Sequence, residues 1–389
     1  MRTVMHPLPS GTPGTARQLR SLHFGETATG EASSQPGLKA YIQASLHADE
    51  IPPMLVAQSL IRRLQLLEDA GDLLGQVVLV PMANPIGLAQ ECLGQALGRF
   101  DLATGINFNR HHGLHSHTIW GRVGLQLGSD SVQNKELVRR ALREILEEAP
   151  AETETQALKQ RLALLAADAD VVLDLHCDNQ AVMHLYAPTS QREAFGPLSA
   201  LLGAQAFLCS DEAGDQPFDE SLARIWWEVA ALAGPLKPVD PCGCIAATVE
   251  LRGECDVSLE LAEQDAQAIV AFLALRGFVR GRALDATPSS EVAQLPAPLC
   301  EATPLEGVEP LVATQAGVLV FLKTPGDWVN AGETVAQVID PMTDERHTIR
   351  ASQAGRCFAR TARRFASRGM RIAKIAGVTA WRSGSLLSP

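Results

Sequence analysis

The sequence predicts an α/β protein with a mixed, mainly parallel sheet flanked by helices, followed by a small all-β domain. Two continuous apolar runs, residues 76–81 and 171–176, are typical of strands buried on both faces of a sheet. Between them, the apolar residues of segment 56–67 recur at helical spacing. A strand, a helix and a further strand in succession indicate βαβ units, and hence parallel strands.

The other elements of the α/β part follow from the same patterns. A strand over 38–46 is followed by Pro52 and Pro53, which suit the first turn of a helix, and Gly71 suits its end. His6 and His23 are expected at the surface. The remaining predictions are an edge strand at 16–24, strands at 181–186, 206–209 and 246–251, and helices at 131–148, 152–168, 192–202, 220–232 and 262–275.

A change of composition divides the chain into two predicted domains. Residues 285–309 are rich in Pro, Ser and Thr, and we interpret them as a linker. The linker would join an α/β domain, residues 1–284, to an all-β domain, residues 310–383, in which short apolar runs alternate with glycines.

Charge and cysteine usage limit the possible functions. The formal net charge of −11 argues against binding to nucleic acid or to anionic membranes, which require basic surfaces. The eight cysteines are scattered and form no disulfide framework, which indicates reduced thiols and a cytoplasmic location. No apolar run approaches about 18 residues, so neither a signal peptide nor a membrane span is expected.

The first candidate site is the stretch that contains His47 and Glu50. This H-x-x-E pair follows the predicted strand 38–46, so it lies on a loop rather than within a helix. An imidazole and a carboxylate at this spacing can bind one small cation. The alternative is an ordinary loop histidine beside a glutamate at a helix entrance.

Two further residues share the position of this pair at the end of a strand. His176 ends the apolar run 171–176, and Glu250 closes the predicted strand 246–251. Because the carboxyl ends of parallel strands gather at one edge of a sheet, these residues are expected to converge with His47 and Glu50. Two imidazoles and one carboxylate form a catalytic zinc site with an open position, and a second carboxylate, Glu250, would transfer the proton.

Other polar residues are candidates for supporting roles. Asp174 precedes His176 by two residues and could orient its imidazole, although it could equally cap a loop. Arg110, beside Asn109, could anchor a carboxylate, and Arg99 could hold an oxyanion, although single arginines are usually solvated. Four more histidines are interpreted as solvated loop side chains rather than a second metal site: His111, His112, His115 and His117.

These motifs together resemble the succinylglutamate desuccinylase/aspartoacylase family, which has a zinc-carboxypeptidase-like fold. The matching residues, in order over 38–283, are His47-x-x-Glu50, Asn109-Arg110, Asp174-Leu175-His176 and Val249-Glu250-Leu251. The resemblance implies one zinc ion per subunit, bound by His47, Glu50 and His176, with Glu250 as the general base. It also implies that Asn109 and Arg110 bind the α-carboxylate of the substrate, with Arg99 beside them.

The sequence departs from the family pattern at two positions, one next to His47 and one shortly after Glu250. Ala48 stands where the family usually has Gly after the first histidine, and Arg252 stands where Gly is usual after the catalytic glutamate. Arg252 is therefore expected to contact the substrate or to narrow the pocket, which leaves the acyl specificity open. An amine-bearing substrate side chain could be selected by nearby carboxylates, which are otherwise surface groups: Asp178, Glu254 and Asp256.

The C-terminal domain resembles a biotinyl/lipoyl module. Carrier domains of that type need a lysine at a hairpin tip, where this sequence has Thr343. No swinging cofactor arm is therefore expected, and the domain would shape the active site or mediate oligomer contacts.

The combined expectation is a zinc-dependent deacylase that hydrolyses the amide bond of a small N-acyl amino acid. The enzyme would be a homo-oligomer. One alternative is a zinc carboxypeptidase that acts on peptides, which would need a cleft long enough for a peptide. The other is a non-catalytic binding protein, which would be expected to lack a metal ligand or the base.

Overall fold

The computed structural model describes residues 1–25, 37–113, 116–280 and 295–387. The helices are α1 (Pro52–Asp69), α2 (Pro85–Leu88), α3 (Ser116–Val123), α4 (Ser131–Glu148), α5 (Glu154–Ala166), α6 (Arg192–Leu202), α7 (Phe218–Ala233) and α8 (Leu259–Leu275). The strands are β1 (Arg2–Pro7), β2 (Gln18–Phe24), β3 (Lys39–Ala44), β4 (Gln76–Val80), β5 (Glu91–Cys92), β6 (Gln95–Ala96), β7 (Val171–Asp178), β8 (Gln180–Ala181), β9 (His184–Ala187), β10 (Ala206–Cys209), β11 (Ile245–Gly253), β12 (Ala302–Pro304), β13 (Val308–Val312), β14 (Gly317–Phe321), β15 (Trp328–Val329), β16 (Thr334–Ile339), β17 (Arg346–Arg350), β18 (Gly355–Arg360), β19 (Phe365–Ala366) and β20 (Arg371–Ala376).

The largest sheet is mixed, with the order β1-β2-β4-β3-β7-β11-β9-β10-β12. Its central strands β4, β3, β7 and β11 are parallel, so their carboxyl ends lie at one edge. Strand β9 runs antiparallel to β11, and β10 and β12 continue parallel to β9. The predicted α/β architecture with a mixed sheet and flanking helices is therefore confirmed.

Each face of this sheet is covered by its own hydrophobic core. In β7, Leu173 and Leu175 pack into the core formed with α1, α6 and α8, whereas Val172 packs into the core on the other face. Because side chains alternate between faces along a strand, Asp174 and His176 share the face of Val172. The sheet face that carries Val172 is therefore apolar near the start of β7 and polar near its end.

The C-terminal strands form two antiparallel sheets around a separate core. One has the order β13-β20-β18-β15 and the other the order β17-β16-β14-β19. Strand β8, which follows directly on β7, pairs with β18 through Ala181 and Ala359. The C-terminal sheets are thereby joined to the strand that carries His176.

Three sequence-based expectations need correction or restriction. Residues 302–304, which were expected within a linker, form β12 and extend the large sheet, whereas 285–294 lie outside the described residues. Strand β1 pairs with β2, so β1 rather than the predicted strand 16–24 forms the edge. His23 is buried and bonded to Ser21, because this second strand is covered.

Among the described helices, none is both long and apolar enough to cross a membrane.

Candidate active site

His47, Glu50 and His176 converge at the carboxyl edge of the large sheet. Their potential ligand atoms all lie within 4.8 Å of one another, and all three side chains are buried. Nδ1 of His47 lies 2.9 Å from Oε1 of Glu50, and Nδ1 of His176 lies 2.7 Å from Oε2. Two imidazole nitrogens and a carboxylate directed at one point could hold a divalent metal ion.

A tight turn after β3 brings the H-x-x-E pair together. Ser45 adopts a positive φ of 59°, which ends the strand, and its hydroxyl donates to the carbonyl of Glu50. The amide of Glu50 donates to the carbonyl of His47. Pro53 lies in the first turn of α1, directly after this loop. Glu50 is thus fixed over His47 before the helix begins.

The outer nitrogens of both imidazoles also have partners. Nε2 of His47 lies 2.9 Å from Oδ1 of Asn107. Nε2 of His176 lies 3.0 Å from Oδ2 of Asp174, an ion-pair contact without good hydrogen-bond alignment. The other oxygen of Asp174 accepts a bond from Gln43. Such contacts leave Nδ1 of each ring to act as the ligand. The sequence pointed to Asp174 but not to Asn107, which lies on an irregular loop.

Burial and neighbouring charges set the protonation of the three groups. Burial, reinforced by Arg99, lowers the pKa of His47 to about 4. Burial opposes charge on His176, but Asp174 and Glu50 outweigh it and raise its pKa. Burial also opposes ionisation of Glu50, but the two histidines outweigh it and hold its pKa well below the ordinary value. Glu50 is therefore ionised, as a metal ligand must be.

Glu250 lies beside the three residues on β11, where it pairs directly with His176 in the ladder. Its side chain is half-buried and lines the same cavity. Oε2 has no hydrogen-bond partner among the residues that the structure describes. Burial, and then the negative charge of Glu50, raises the pKa of Glu250 to about 8. A carboxyl group whose pKa lies near neutrality can both accept and release a proton.

Three further predicted residues border this cluster. Nη2 of Arg99 lies 3.0 Å from Oε1 of Glu50. Nδ2 of Asn109 lies 3.3 Å from Nε2 of His176, while its Oδ1 accepts from the amide of Phe218. Arg110 donates from Nη1 to the carbonyl of Asn109 and lines the cavity. The structure therefore places Arg99, Asn109 and Arg110 together, next to the candidate metal ligands.

Lys159 was not identified from the sequence, yet it supports this loop. Its Nζ, reaching from α5, donates to the carbonyls of Asn107 at 3.1 Å and Arg110 at 2.6 Å. Burial, and then the charge of Arg110, lowers the pKa of Lys159 to about 8. A single lysine in an amphipathic helix carries no sequence signal for such a role.

Arg252 is not brought to the site. Its guanidinium forms an ion pair with Asp265 of α8, and Arg252 does not line the cavity that the described residues enclose. The reason is local: the β7–β11 ladder shifts register between Glu250 and Gly253, and Arg252 has a φ of +64°. Such an irregularity breaks the alternation that would otherwise direct Arg252 to the face of Glu250.

The other candidate polar residues have partners within the protein, and one of them, Asp178, also lines the same cavity as Glu250. Among the histidines, His112 is half-buried, packs edge-on against Phe218 and bonds the carbonyl of Phe108, so it is not a solvated side chain. His115 lies outside the described residues. Asp178 bonds Lys374, Glu254 bonds Asn179 and Asp256 bonds the amide of Gly253, so each of these carboxylates is engaged by the protein.

The cavity above these residues has a volume of about 330 Å³. Its wall opposite the large sheet comes from the C-terminal part of the chain, including Arg360, Arg371 and Lys374. Nζ of Lys374, on β20, lies 2.5 Å from Oδ2 of Asp178 at the end of β7. The two parts of the chain therefore enclose the cavity together.

Comparison with known proteins identifies the family. The model of the succinylglutamate desuccinylase/aspartoacylase catalytic domain matches residues 36–276, which is more than half of the chain. None of the curated proteins searched matches the chain significantly.

Several solved structures share the fold over nearly the whole chain. A succinylglutamate desuccinylase/aspartoacylase family protein from Shewanella amazonensis is 25% identical, with a TM-score of 0.80 and coverage of 97% of this chain and 98% of that chain. A counterpart from Shewanella frigidimarina is 23% identical, with a TM-score of 0.79 and coverage of 97% of each chain. The product-bound ectoine utilization protein EutE (DoeB) from Ruegeria pomeroyi is 16% identical, with a TM-score of 0.64 and coverage of 97% and 95%. The chain belongs to the succinylglutamate desuccinylase/aspartoacylase family.

Proposed function

We propose that the protein is a zinc-dependent deacylase that hydrolyses the amide bond of an N-acyl amino acid and releases a carboxylate and a free amino acid. The observation that carries this proposal is the convergence of the buried side chains of His47, Glu50 and His176 beside a cavity that His47, His176 and Glu250 line. Membership of a family of deacylases supports it.

The donor set suits zinc. Two imidazole nitrogens and one carboxylate are the protein ligands of many catalytic zinc sites, and His47, Glu50 and His176 would hold the ion here. When bound, zinc acts as a Lewis acid that lowers the pKa of water and polarises an amide carbonyl.

The proton transfers are assigned to Glu250. Its unpartnered Oε2 would accept the proton of the attacking water and deliver it to the departing amide nitrogen. Burial and the negative charge of Glu50 raise the pKa of Glu250, which favours the protonated form that the second transfer needs.

Binding and charge stabilisation are assigned to the loop between residues 99 and 110. Arg110, with Asn109, would bind the α-carboxylate, for which the guanidinium offers a bidentate partner. Arg99 is held by Glu50 and would stabilise negative charge on the carbonyl oxygen. Arg252, paired with Asp265, has no part in this scheme.

The C-terminal strands are assigned a structural role around the site. We infer a biotinyl/lipoyl-like module without a cofactor arm, since Thr343 occupies the exposed hairpin tip. A cavity of about 330 Å³ closed on this side favours a small N-acylated amino acid over a peptide. All eight cysteines are free, which supports the proposed cytoplasmic location. We also propose that the protein forms a homo-oligomer.

A substrate screen tests this function. Zinc-loaded protein would be incubated with N-acetyl, N-formyl and N-succinyl amino acids, and the free amine would be measured, with Glu250→Gln as the matched control. We expect hydrolysis of at least one series by the native protein and almost none by the variant. Equal activity of both proteins would contradict the role of Glu250, and inactivity on every series would contradict the function.

A further inference from the structure

We propose that the cavity continues into an apolar arm that binds a hydrocarbon group of the substrate and that reaches Leu208, two strand spacings or about 10 Å across the sheet from Thr248. This inference rests on the proposed function and specifies its substrate class: N-acyl amino acids that carry an alkyl chain, either in the acyl group or in the side chain.

The direction of the arm follows from the register of the large sheet. Thr248 lies two residues before Glu250, so both side chains share one face. Tyr186 of β9 lies directly opposite Thr248, and Leu208 of β10 lies directly opposite Tyr186. Directly paired residues project from the same face, so these side chains form a row across the sheet. The row lines the cavity and leads away from the candidate metal ligands.

The far end of this row is apolar. Leu208 and Leu305 are almost completely buried and belong to the hydrophobic cluster between the large sheet and the C-terminal strands. The cavity-lining residues that belong to this cluster or pack against it include four from separate places in the chain: Leu208, Ala213, Leu305 and Leu387.

Three polar side chains that line the cavity beside the arm each have a hydrogen-bond partner in the protein. The hydroxyl of Ser210 donates to Oε1 of Glu306 at 3.0 Å. Arg371 donates to the carbonyl of Leu387 at 3.1 Å, and Arg360 donates to Oε1 of Gln180 at 2.8 Å. Each of these groups is thus held by the protein, and we expect burial of apolar surface to be the main contribution to binding in the arm.

The last described segment of the chain closes the arm. The amide of Leu386 donates to the carbonyl of Ala213 at 2.9 Å, and the hydroxyl of Ser385 donates to Asp215 at 2.8 Å. Gly214 permits this contact, because a Cβ there would lie 2.9 Å from Cα of Ser385. These contacts hold Leu387 against the wall formed by Ala213.

Calorimetric binding of butanoate, hexanoate and octanoate to the zinc-loaded protein tests the arm without turnover. We expect Kd to fall about fourfold for each added methylene until the arm is full, as about 0.8 kcal/mol per buried methylene implies. Equal affinities, or no measurable binding of octanoate, would overturn the inference.

Two substrate series then separate the sources of the alkyl group. In one, N-acyl-alanines carry acyl chains of increasing length, and in the other, N-acetyl amino acids carry side chains of increasing length. A rise of kcat/KM in one series identifies the part of the substrate that enters the arm. Hydrolysis with no preference for chain length in either series overturns the inference alone, whereas failure of all hydrolysis despite graded carboxylate binding contradicts only the proposed function.

A pair of charge substitutions tests the location. Leu387→Asp places a carboxylate in the arm, whereas Val378→Asp makes the same change at an exposed position nearby that does not line the cavity. We expect Leu387→Asp to weaken octanoate binding at least tenfold and Val378→Asp to leave it unchanged. Leu387→Ala, a milder change, should weaken it about fivefold. Unchanged affinity in both Leu387 variants would overturn the assignment.

Discussion

The two ends of strand β7 each carry a cluster of charged residues, and the clusters differ in how their charges are compensated. Before the strand, Asp170 accepts bonds from the amide of Lys39, from Nζ of Lys135 and from Nη2 of Arg139. Burial opposes ionisation of Asp170, but these partners outweigh it and lower its pKa. At the other end, Glu250 is half-buried near Glu50 with Oε2 unpartnered among the described residues, and its pKa is raised to about 8.

This difference separates a structural cluster from a chemical one. A half-buried carboxylate with two cationic partners is satisfied, and removing it leaves those cations without that partner. A buried carboxylate without a partner lowers stability, and groups with such perturbed pKa values concentrate at functional sites. The same strand therefore has a stabilising end and a reactive end.

The largest expected effect comes from Glu250→Gln. Turnover should fall about 100- to 10,000-fold, because general acid–base catalysis contributes that much. Zinc content and the free energy of unfolding should not fall. Asp170→Asn is the matched control at the opposite end, where we expect unchanged kcat and a loss of about 2 kcal/mol of stability. Steady-state kinetics measure kcat and denaturant unfolding measures stability for the two variants. A loss of stability in Glu250→Gln together with a loss of turnover in Asp170→Asn would contradict the distinction between the two clusters.

His47→Ala should abolish metal binding in the reactive cluster. Loss of a direct ligand should weaken zinc affinity more than the about 10- to 100-fold that follows loss of an outer partner. Asn107→Ala, which removes the partner of Nε2, is the graded control. Elemental analysis and competition with a chelator measure the effect, and full zinc retention by His47→Ala would contradict its assignment as a ligand.

Arg110→Ala should weaken binding of substrates with a free carboxylate. Loss of a buried charge-assisted contact costs about 2 kcal/mol, so KM should rise about 30-fold for the carboxylate substrate. The corresponding amide substrate should be affected much less. Equal changes for the two substrates would remove the anchoring role.

Lys159→Met tests the residue that holds the substrate loop. The variant loses two charge-assisted bonds to the carbonyls of Asn107 and Arg110. We expect KM to rise about tenfold with a smaller change in kcat, since the loss of such a bond costs about 1.5 kcal/mol. Lys159→Arg should recover most of the affinity, and a fall in kcat alone would argue against a positioning role.

Glu220 is intermediate between Asp170, whose carboxylate has cationic partners, and Glu250, whose Oε2 has none among the described residues. Burial raises its pKa to about 7, although one oxygen accepts from Ala213 and the other lies 3.5 Å from Arg224. The native state therefore holds its proton more tightly than the unfolded state, so this group lowers stability as the pH rises from about 4.5 to about 7.

Glu220→Gln should remove this pH dependence. Relative to the native protein, the variant should gain on the order of 2 kcal/mol between pH 5 and pH 8. Denaturant unfolding at both pH values measures the difference. If the difference in free energy of unfolding between the variant and the native protein is the same at pH 5 and pH 8, the charge of the Glu220 carboxylate is already compensated in the native state.

The convergence of His47, His176 and Glu250 could be predicted because each follows a strong strand pattern. Parallel strands of a buried sheet place their carboxyl ends together, so sequence position alone brings such residues to one edge. Arg252, which the sequence placed near the substrate, pairs with Asp265 instead, since a register shift beyond Glu250 changes the direction of its side chain.

The remaining parts of the site depend on tertiary packing that local patterns do not encode. Asn107 and Lys159 meet only because α5 packs beside an irregular loop. Lys374 reaches Asp178 across the junction between the two parts of the chain, and Leu387 enters the cavity from the last described segment. Contacts over such separations carry no periodicity, and Arg110 was singled out only by its pairing with Asn109.

The most direct test is to measure hydrolysis of an N-acyl amino acid as zinc is returned to chelator-treated protein. We expect activity to rise in proportion to bound zinc and to saturate at one ion per chain, with no such rise in His176→Ala. Full activity of the metal-free protein, or saturation that is unaffected by loss of His176, would contradict a metal centre formed by His47, Glu50 and His176.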